Sequence, residues 1–281
     1  MFLSYSKKTF RPIFLIITGA CFIQYLQAQT ENWKSVDWQL GIGKTYLFDD
    51  YLSPLSHEGS SSRFSTEHFI PLKWGLSDQL LPSFENAKWF SQFCLSLNPV
   101  YAQSAPGSSL LYVNIDIRNS VLKQIISTPA WSASVGGYAA LSGGGRYCIQ
   151  NGNNPGSIDA MFDLGMTVMT SYGFSFQGKR IKIRYLGSLA LAGLAFSPEY
   201  AESYYEIFYL KNNRNIIKVT SLNNKQLWKQ QFSMDIPLSG HKSSLRISYW
   251  NEGRVSLLNN IRTRVISNHF SAGYIRYFSV L

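Results

Sequence analysis

The sequence predicts an all-β fold, an antiparallel transmembrane β-barrel of about 12 strands that follows an N-terminal signal peptide. Three observations support this expectation. Apolar and polar residues alternate repeatedly after residue 30, turn-forming residues separate the alternating segments, and only 15% of the residues are charged. Because soluble domains usually carry about 25% charged residues, the low value favours a protein with an extensive apolar surface.

The start of the chain has the organisation of a secretory signal peptide. Three basic residues precede an apolar run that begins at Pro12, and the small residue Ala28 lies at its polar exit. Export signals combine a basic start, a short apolar core and a small residue at the cleavage site. We therefore expect residues 1–28 to be a signal peptide, cleaved after Ala28 or Gln29, and residues 29–281 to form one outer-membrane barrel domain.

Each expected strand rests on alternation with a period of two, because successive side chains of a strand point to opposite faces. The pattern is clearest over residues 36–42, 88–97, 111–118, 162–168 and 228–236. The expected strands begin near residues 34, 62, 88, 109, 130, 160, 179, 214, 226, 242, 254 and 268. Turn signals between them include Gln177-Gly178-Lys179, Asn223-Asn224-Lys225 and Asn251-Glu252-Gly253.

Two all-β folds fit these segments. A soluble sandwich would bury the apolar faces, whereas a membrane barrel would expose them to lipid and line its lumen with polar residues. Small uncharged residues on many polar faces, and aromatic residues near strand ends such as Trp38, Trp89 and Tyr274, favour the barrel.

The number of strands then predicts the topology. An even number places both termini in the periplasm. Residues 177–179 and 223–224 become short periplasmic turns on this count. The expected extracellular segments are residues 49–61, 102–108, 151–158 and 196–213.

Four segments resemble a known family. They read NGNNP (residues 151–155), YLSPL (51–55), FSPEYAESYYEIF (196–208) and FSAGYIRYF (270–278). The chain resembles predicted outer-membrane β-barrel proteins of unknown function from Gram-negative bacteria of the gut and mouth. The resemblance implies a barrel in the outer membrane and no known reaction. The barrel-assembly machinery is an expected partner, although three residues follow the terminal aromatic Phe278, and Arg276 stands where an apolar residue is common.

Basic residues are concentrated in the second half of the chain, and strand parity points many of them into the lumen. The expected basic wall comprises Lys182, Arg184, Lys218, Lys229, Arg246, Arg262, Arg264 and Arg276. The expected acidic residues opposite are Asp37, Asp116 and Asp163. Such a lumen either conducts small anions or zwitterions, or is filled by ion pairs that hold the wall together.

Binding and catalysis are the other possibilities. The loop candidates are Asn151, Asn153, Asn154, Glu199, Glu202, Tyr204, Tyr205 and Glu206. His269 and Ser271 share a strand face, as the His-x-Ser pair of outer-membrane lipid deacylases does. No carboxylate follows to orient His269, and we expect no enzyme, catalytic residue, metal site, cofactor or nucleic-acid partner. Cys94 and Cys148 are expected to face inward as free thiols.

Three functions follow, in decreasing order of support. The first is a small-solute pore or transport barrel with a partly basic lumen. The second is a non-conducting surface barrel that binds lipopolysaccharide, a glycan or a partner protein through its extracellular loops. The third is a lipid-modifying enzyme.

Overall fold

The computed structural model describes residues 34–72, 89–105, 107–128, 130–152, 155–199, 202–212, 214–238 and 242–278. The expected signal peptide lies outside these residues. The elements are β1 (Lys34–Asp49), β2 (Ser53–Leu72), β3 (Trp89–Gln103), β4 (Ser109–Ser127), β5 (Trp131–Cys148), β6 (Gly156–Phe176), β7 (Lys179–Phe196), α1 (Tyr204–Phe208), β8 (Ile217–Ser221), β9 (Lys225–Pro237), β10 (Ser243–Leu258) and β11 (Ile261–Phe278).

The strands form one closed antiparallel barrel. Each strand from β1 to β7 pairs with the next, and β9, β10 and β11 continue the wall from β7. The ring closes where β1 pairs with β11 along its whole length, from Lys34 opposite Phe278 to Asp49 opposite Thr263. The antiparallel barrel predicted from the alternation is therefore confirmed.

The wall has ten strand positions in the described residues, and the expected count of about twelve was wrong. Both β8 and β9 run antiparallel to β7, β8 beside Ala192–Phe196 and β9 beside Lys182–Leu189. They are two segments of one wall position, interrupted at residues 222–224. Asn224 stabilises this interruption, because its side-chain oxygen accepts a hydrogen bond from the Ser221 amide at 2.8 Å. Residues 223–224 are thus no inter-strand turn.

The second excess strand came from Asn251-Glu252-Gly253. These residues lie inside β10, which pairs with both neighbours up to Leu258. The turn comes later, at Asn259 and Asn260, whose φ angles are 50° and 62°. Two consecutive positive φ angles are those of the two-residue hairpin turn that matches strand twist.

The connections lie at two rims. The terminal rim is where β1 begins and β11 ends, and it also carries the β6–β7 hairpin at Gln177 and Gly178. The far rim carries the described residues of the connections that follow β1, β3, β5, β7 and β10. All four segments expected to be extracellular reach the far rim, although residues 53–61 belong to β2 and 156–158 to β6.

The outer wall is apolar and the inner wall is polar. On β1, Trp38, Leu40 and Ile42 are 51%, 63% and 74% exposed, whereas Asp37 and Gln39, which face the lumen, are almost fully buried. This arrangement is opposite to that of a soluble sandwich, whose apolar faces pack inside. Among the described residues, no helix is long and apolar enough to span a membrane.

One polar cluster on the outer wall satisfies its own hydrogen bonds. The Oδ1 atom of Asn268 accepts from the Tyr249 hydroxyl at 2.8 Å and from Nδ2 of Asn251 at 2.9 Å. Oδ1 of Asn251 in turn accepts from Nε1 of Trp228 at 3.0 Å. These groups therefore need fewer hydrogen bonds from water, which is what an apolar surrounding requires.

Candidate functional site

The lumen is filled by ion pairs, several of which join strands on opposite sides of the ring. The paired basic residues are Arg63, Arg118, Arg146, Arg184, Lys225, Lys229, Arg246 and Arg254. The paired acidic residues are Asp37, Asp49, Glu67, Asp116, Asp159, Asp163, Asp235 and Glu252. Eight cations thus meet eight anions in the described lumen.

The layer nearest the terminal rim is built around Arg246. Its Nε and Nη2 donate to the two carboxylate oxygens of Asp235 at 2.6 and 2.7 Å, and its Nη1 donates to Glu67 at 3.1 Å and to Asp37. Arg184 donates to Glu67 at 2.7 Å from the opposite side of the barrel. We call these five residues the terminal layer, and it bridges β1, β2, β7, β9 and β10.

The middle layer comprises Arg63, Asp116, Arg118, Lys229 and Glu252. Nζ of Lys229 lies 2.6 Å from Oδ1 of Asp116, across the lumen, and 3.9 Å from Glu252. Arg63 pairs with Glu252, and its guanidinium lies 4.0 Å above the ring of Trp250. Arg118 lies 3.6 Å from Asp116.

The far layer comprises Asp49, Arg146, Asp159 and Arg254. Arg146 donates to Asp49 and to Asp159, both at 2.8 Å, and Arg254 also pairs with Asp159. The Tyr112 hydroxyl donates to Asp159 at 3.0 Å. Just below this layer, Lys225 lies 2.6 Å from Asp163.

An apolar cluster fills the lumen beyond these pairs, on the side of β1 and β3 to β5. Its buried members are Leu47, Leu52, Val100, Ala102, Leu110, Tyr112 and Cys148. Cys148 and Cys94 are both buried on inward faces and unbridged, as expected. The far half of the lumen is therefore packed like a protein core.

The cavities become smaller from the terminal rim to the far rim. Two cavities of about 300 and 260 Å³ share Lys182, Asp235 and Tyr277 in their walls and lie at the terminal rim. Two others, beside the far and middle layers, measure only about 40 and 50 Å³. Such volumes hold a few water molecules at most. We call the two large cavities together the vestibule.

The structure separates the predicted basic wall into four groups. Arg184, Lys229 and Arg246 face inward and are paired, as described above. Lys182 lines the vestibule, and in the part of the chain that the structure describes it forms no ion pair. Lys218 lies near the far rim, where its Nζ donates to Asn215 at 2.6 Å. The predicted acidic residues Asp37, Asp116 and Asp163 are all buried in the lumen.

The remaining three arginines correct the predicted parity of the last two expected strands. Inward positions of β11 carry Ser267, His269 and Ser271, so Arg262, Arg264 and Arg276 point outward instead. The physical reason is that β11 begins at Ile261, immediately after the Asn259-Asn260 turn, and runs without a break to Phe278. An expected strand that began at residue 268 disregarded this continuity.

A lid lies on the far rim, formed by the described residues 197–199, 202–212 and 214–216, which include α1. Ser203 caps the helix: its hydroxyl oxygen accepts from the Glu206 amide at 3.2 Å, while Glu206 accepts from the Ser203 amide at 2.7 Å. This reciprocal capping box is encoded by the SYYE sequence at residues 203–206. The Ser203 backbone N–H and hydroxyl both hydrogen-bond to the Glu206 carboxylate and so lower its pKa.

Hydrogen bonds and stacked rings hold the lid over the lumen. The Tyr51 hydroxyl donates to the Glu202 carbonyl at 2.8 Å, and the Ile158 amide donates to the Tyr204 hydroxyl at 2.6 Å. Tyr204 also packs edge-on against Tyr51, at 5.7 Å between ring centroids. Burial, followed by the nearby Tyr204 and Asp49, raises the pKa of Tyr51 to about 12. Tyr51 and Tyr204 line the small cavity above the far layer, so the lid closes this mouth.

The lid also shows where the other loop candidates lie. Glu199 and Glu202 accept hydrogen bonds from Asn215 and Asn212, both at 2.9 Å. Tyr205 is 59% exposed, and its ring stacks on that of Tyr209. Asn151 donates to the Leu52 carbonyl at 3.0 Å and so joins two far-rim connections. Asn153 and Asn154 lie outside the described residues.

His269 and Ser271, the residues of the enzyme hypothesis, are not hydrogen-bonded to each other. Nε2 of His269 hydrogen-bonds the hydroxyl of Ser61 at 2.9 Å, and the Ser271 hydroxyl has no partner among the described residues. Both His269 and Ser271 are buried in the lumen. Within the described ranges, no group of three or more His, Cys, Asp or Glu side chains is placed to hold a metal ion.

Ten members of the ion-pair network were absent from the predicted site. They are Asp49, Arg63, Glu67, Arg118, Arg146, Asp159, Lys225, Asp235, Glu252 and Arg254. Alternation was the signal available for all of them, since each lies two or four residues from other inward polar positions of its strand. Arg118 and Asp235 even lay on the alternating segments 111–118 and 228–236, but were not included among the lumen residues.

The chain is similar to several solved outer-membrane proteins. The chain is similar to the outer membrane protease OmpT from Escherichia coli, with a TM-score of 0.50 at 8% identity, over 89% of this chain and 98% of that chain. It also matches the β domain of the Bordetella autotransporter BrkA, with a TM-score of 0.41 at 8% identity, over 88% and 100%. The COG4313 outer membrane channel from Pseudomonas putida F1 matches with a TM-score of 0.33 at 9% identity, over 89% and 98%. At such low identity, the likeness to OmpT shows a shared fold and carries no activity over.

Sequence comparison gives the family. A search of curated proteins found no significant match. A family described as protein of unknown function, DUF3316, matches residues 13–281. The expectation of a family of unknown function is thereby confirmed. Since the match covers nearly the whole sequence, the chain belongs to the DUF3316 family.

Proposed function

We propose that this chain is an outer-membrane barrel that does not conduct solutes and that binds a ligand through the lid at its far rim. The three layers of ion pairs across the lumen carry this proposal. Each layer joins strands from different sides of the ring, and the spaces beside the far and middle layers are about 40 and 50 Å³. A solute would have to separate buried charges at three successive levels, and removing one partner of such a pair costs about 3–5 kcal/mol.

The outer wall supports a membrane location. Its strands carry apolar side chains outward, and its central polar cluster of Trp228, Tyr249, Asn251 and Asn268 is hydrogen-bonded within itself. Backbone groups of a closed barrel are all paired between strands, as a lipid environment demands. The signal peptide expected at residues 1–28 would deliver the chain to the outer membrane, where the far rim would be extracellular.

Planar-bilayer recording tests the closed lumen. We expect folded protein to insert without single-channel steps at any moderate voltage, because the paired layers leave no continuous aqueous path. A general porin recorded in the same bilayers serves as the positive control. Heat-dependent electrophoretic mobility would establish that the sample is folded. Reproducible unitary steps from folded protein would contradict the proposal and favour a pore.

The lid offers the binding surface. Tyr205 and Tyr209 stack with ring centroids 4.8 Å apart, and both are exposed, as are Phe208 and Leu210. The buried Ile207 and the capping box fix the helix that carries them. Flat exposed aromatic rings bind the apolar C–H faces of sugars, and aromatic residues dominate binding energies at such surfaces. We therefore assign a saccharide as the ligand class.

A glycan array tests this assignment. Detergent-solubilised full chain should bind a subset of surface polysaccharide fragments, and the Tyr205→Ala/Tyr209→Ala variant should bind them at least about tenfold more weakly. Tyr147→Ala is the matched control, because Tyr147 is also an exposed tyrosine near the far rim but does not belong to the lid. Equal losses in both variants, or no saccharide bound by the natural chain, would count against the lid as a sugar site.

A second candidate function, passage of small anionic solutes, has one observation in its favour. The vestibule opens at the terminal rim and presents Lys182, which forms no ion pair within the described residues. Passage would require the three layers to rearrange. We propose no catalytic activity, since His269 bonds to Ser61 and lies away from the lipid-facing wall.

A further inference from the structure

We propose that Arg262 and Arg264 bind the phosphate groups of an anionic lipid in the leaflet beside the far rim. This inference rests on the proposed membrane location, but it is independent of the role of the lid. Both side chains point outward from β11 and are exposed. They lie two residues apart on one face, so their Cα atoms are about 6–7 Å apart.

The two guanidinium groups are uncompensated. In the part of the chain that the structure describes, neither guanidinium forms an ion pair, in contrast to the eight lumen cations described above. Two acidic residues near this end of the wall make other contacts. Asp50 accepts the backbone amide of Arg262 at 3.2 Å, and Glu58 lies 3.5 Å from Lys44.

The surroundings of the two arginines are apolar. In the sheet, Arg264 is in register with Phe48 on one side and Val255 on the other, and Arg262 is in register with Leu257. These neighbours share the outward face. A ligand that meets both features must combine a negatively charged head with hydrocarbon chains, which is the chemistry of a phospholipid or of a phosphorylated glycolipid.

The position along β11 places these arginines at the edge of a bilayer. Arg276 is the next outward arginine, twelve residues further along the same strand, and its guanidinium lies 5.4 Å from the ring of Phe278. Twelve residues span about 40 Å along a strand, and a tilt of about 40° reduces the span to roughly 30 Å, close to the thickness of the hydrocarbon core. Arg264 and Arg276 would therefore stand at opposite headgroup regions.

The outward residues between them suit this placement. Ile266, Phe270, Ala272 and Tyr274 are apolar or aromatic, and Asn268 is bonded to Tyr249 and Asn251. Arginine is the appropriate residue at the headgroup level, because its planar fork donates two parallel hydrogen bonds to a phosphate.

Lipid retention tests the site. The full chain is folded into nanodiscs of neutral phosphatidylcholine doped with bisphosphorylated lipid A, extracted in mild detergent, and analysed by native mass spectrometry. We expect the natural chain to retain lipid A and the Arg262→Ala/Arg264→Ala variant to retain about thirty-fold less. This factor assumes that each of the two arginines contributes as much binding free energy as a basic residue near an anionic membrane surface usually does. Arg276→Ala is the matched control at the other rim and should retain lipid A in full.

Three outcomes would overturn the inference. In the first, the double variant retains as much lipid A as the natural chain, and in the second, the natural chain retains dephosphorylated lipid A as well as the phosphorylated form. Either result would show that the two arginines do not bind the phosphate groups. Displacement of lipid A by millimolar inorganic phosphate would show a free-anion site instead of a lipid site. Arg262→Lys/Arg264→Lys, which keeps the charge, should retain an intermediate amount. Failure of the folded natural chain to enter nanodiscs would instead contradict the membrane location itself.

Discussion

Replacing Arg246 by methionine is expected to lower the free energy of unfolding by about 3–5 kcal/mol. Arg246 bonds to three carboxylates, those of Asp37, Glu67 and Asp235. Without it, Arg184 is left as the one remaining paired cation of the terminal layer. The stranded carboxylates would be buried without adequate compensation. Urea titration of the folded barrel in detergent, followed by tryptophan fluorescence, measures the change.

Arg276→Met provides the control, because the same substitution removes an exposed, outward arginine. We expect a change within about 0.5 kcal/mol for this variant. Adding Asp235→Asn to Arg246→Met should recover part of the loss, since it removes one of the unpaired charges. A loss below about 1 kcal/mol for Arg246→Met would show that the lumen is hydrated and that the terminal layer does not seal it.

Replacing Gly43 by valine is expected to prevent barrel closure or to destabilise the fold by at least about 3 kcal/mol. Gly43 lies on β1 opposite His269 of β11, at the seam that closes the ring. A Cβ atom there would overlap the backbone carbonyl of Asn268, which cannot move without breaking the seam. The fraction of protein that shows heat-dependent electrophoretic mobility reports closure.

Gly143→Val is the matched control on β5. Nothing lies within 4 Å of a Cβ atom built at Gly143, and the position faces outward. Valine there has the β-propensity and the apolar character that the outer wall favours, so folding should be unchanged or improved. If the two variants folded equally well, close approach at the seam would not be the reason for a glycine at residue 43.

The fold class could be predicted from the sequence because alternation is a local property. Side chains two residues apart share a face whatever the register, so the period of residues 36–42 already indicates one apolar and one polar wall. The number of strands could be predicted less accurately than the fold class. Asn251-Glu252-Gly253 has the composition of a turn, yet these residues pair with strands on both sides, and Glu252 accepts a hydrogen bond from Arg63, so they remain within β10.

The candidate site could also be predicted only in part. Asp37, Arg184 and Arg246 could be placed in the lumen from parity alone, because their strands were delimited well. The pairing of Arg246 with Glu67 joins strands at distant points in the sequence, so no local pattern reveals it. The capping box of Ser203 and Glu206 is local and readable in principle, whereas the contact of the lid with Tyr51 depends on the tertiary fold.

The lumen network also has a consequence for the order of assembly. Arg246 and Asp37 are 209 residues apart, and Arg63 and Glu252 are 189 residues apart. These bonds cannot form until the last strands reach the first, so a partly threaded chain keeps its charges hydrated and gains little from the strands already placed. Closure of β11 on β1 then brings much of the stabilisation at once. A barrel of this kind is committed to its folded state only by its final strand.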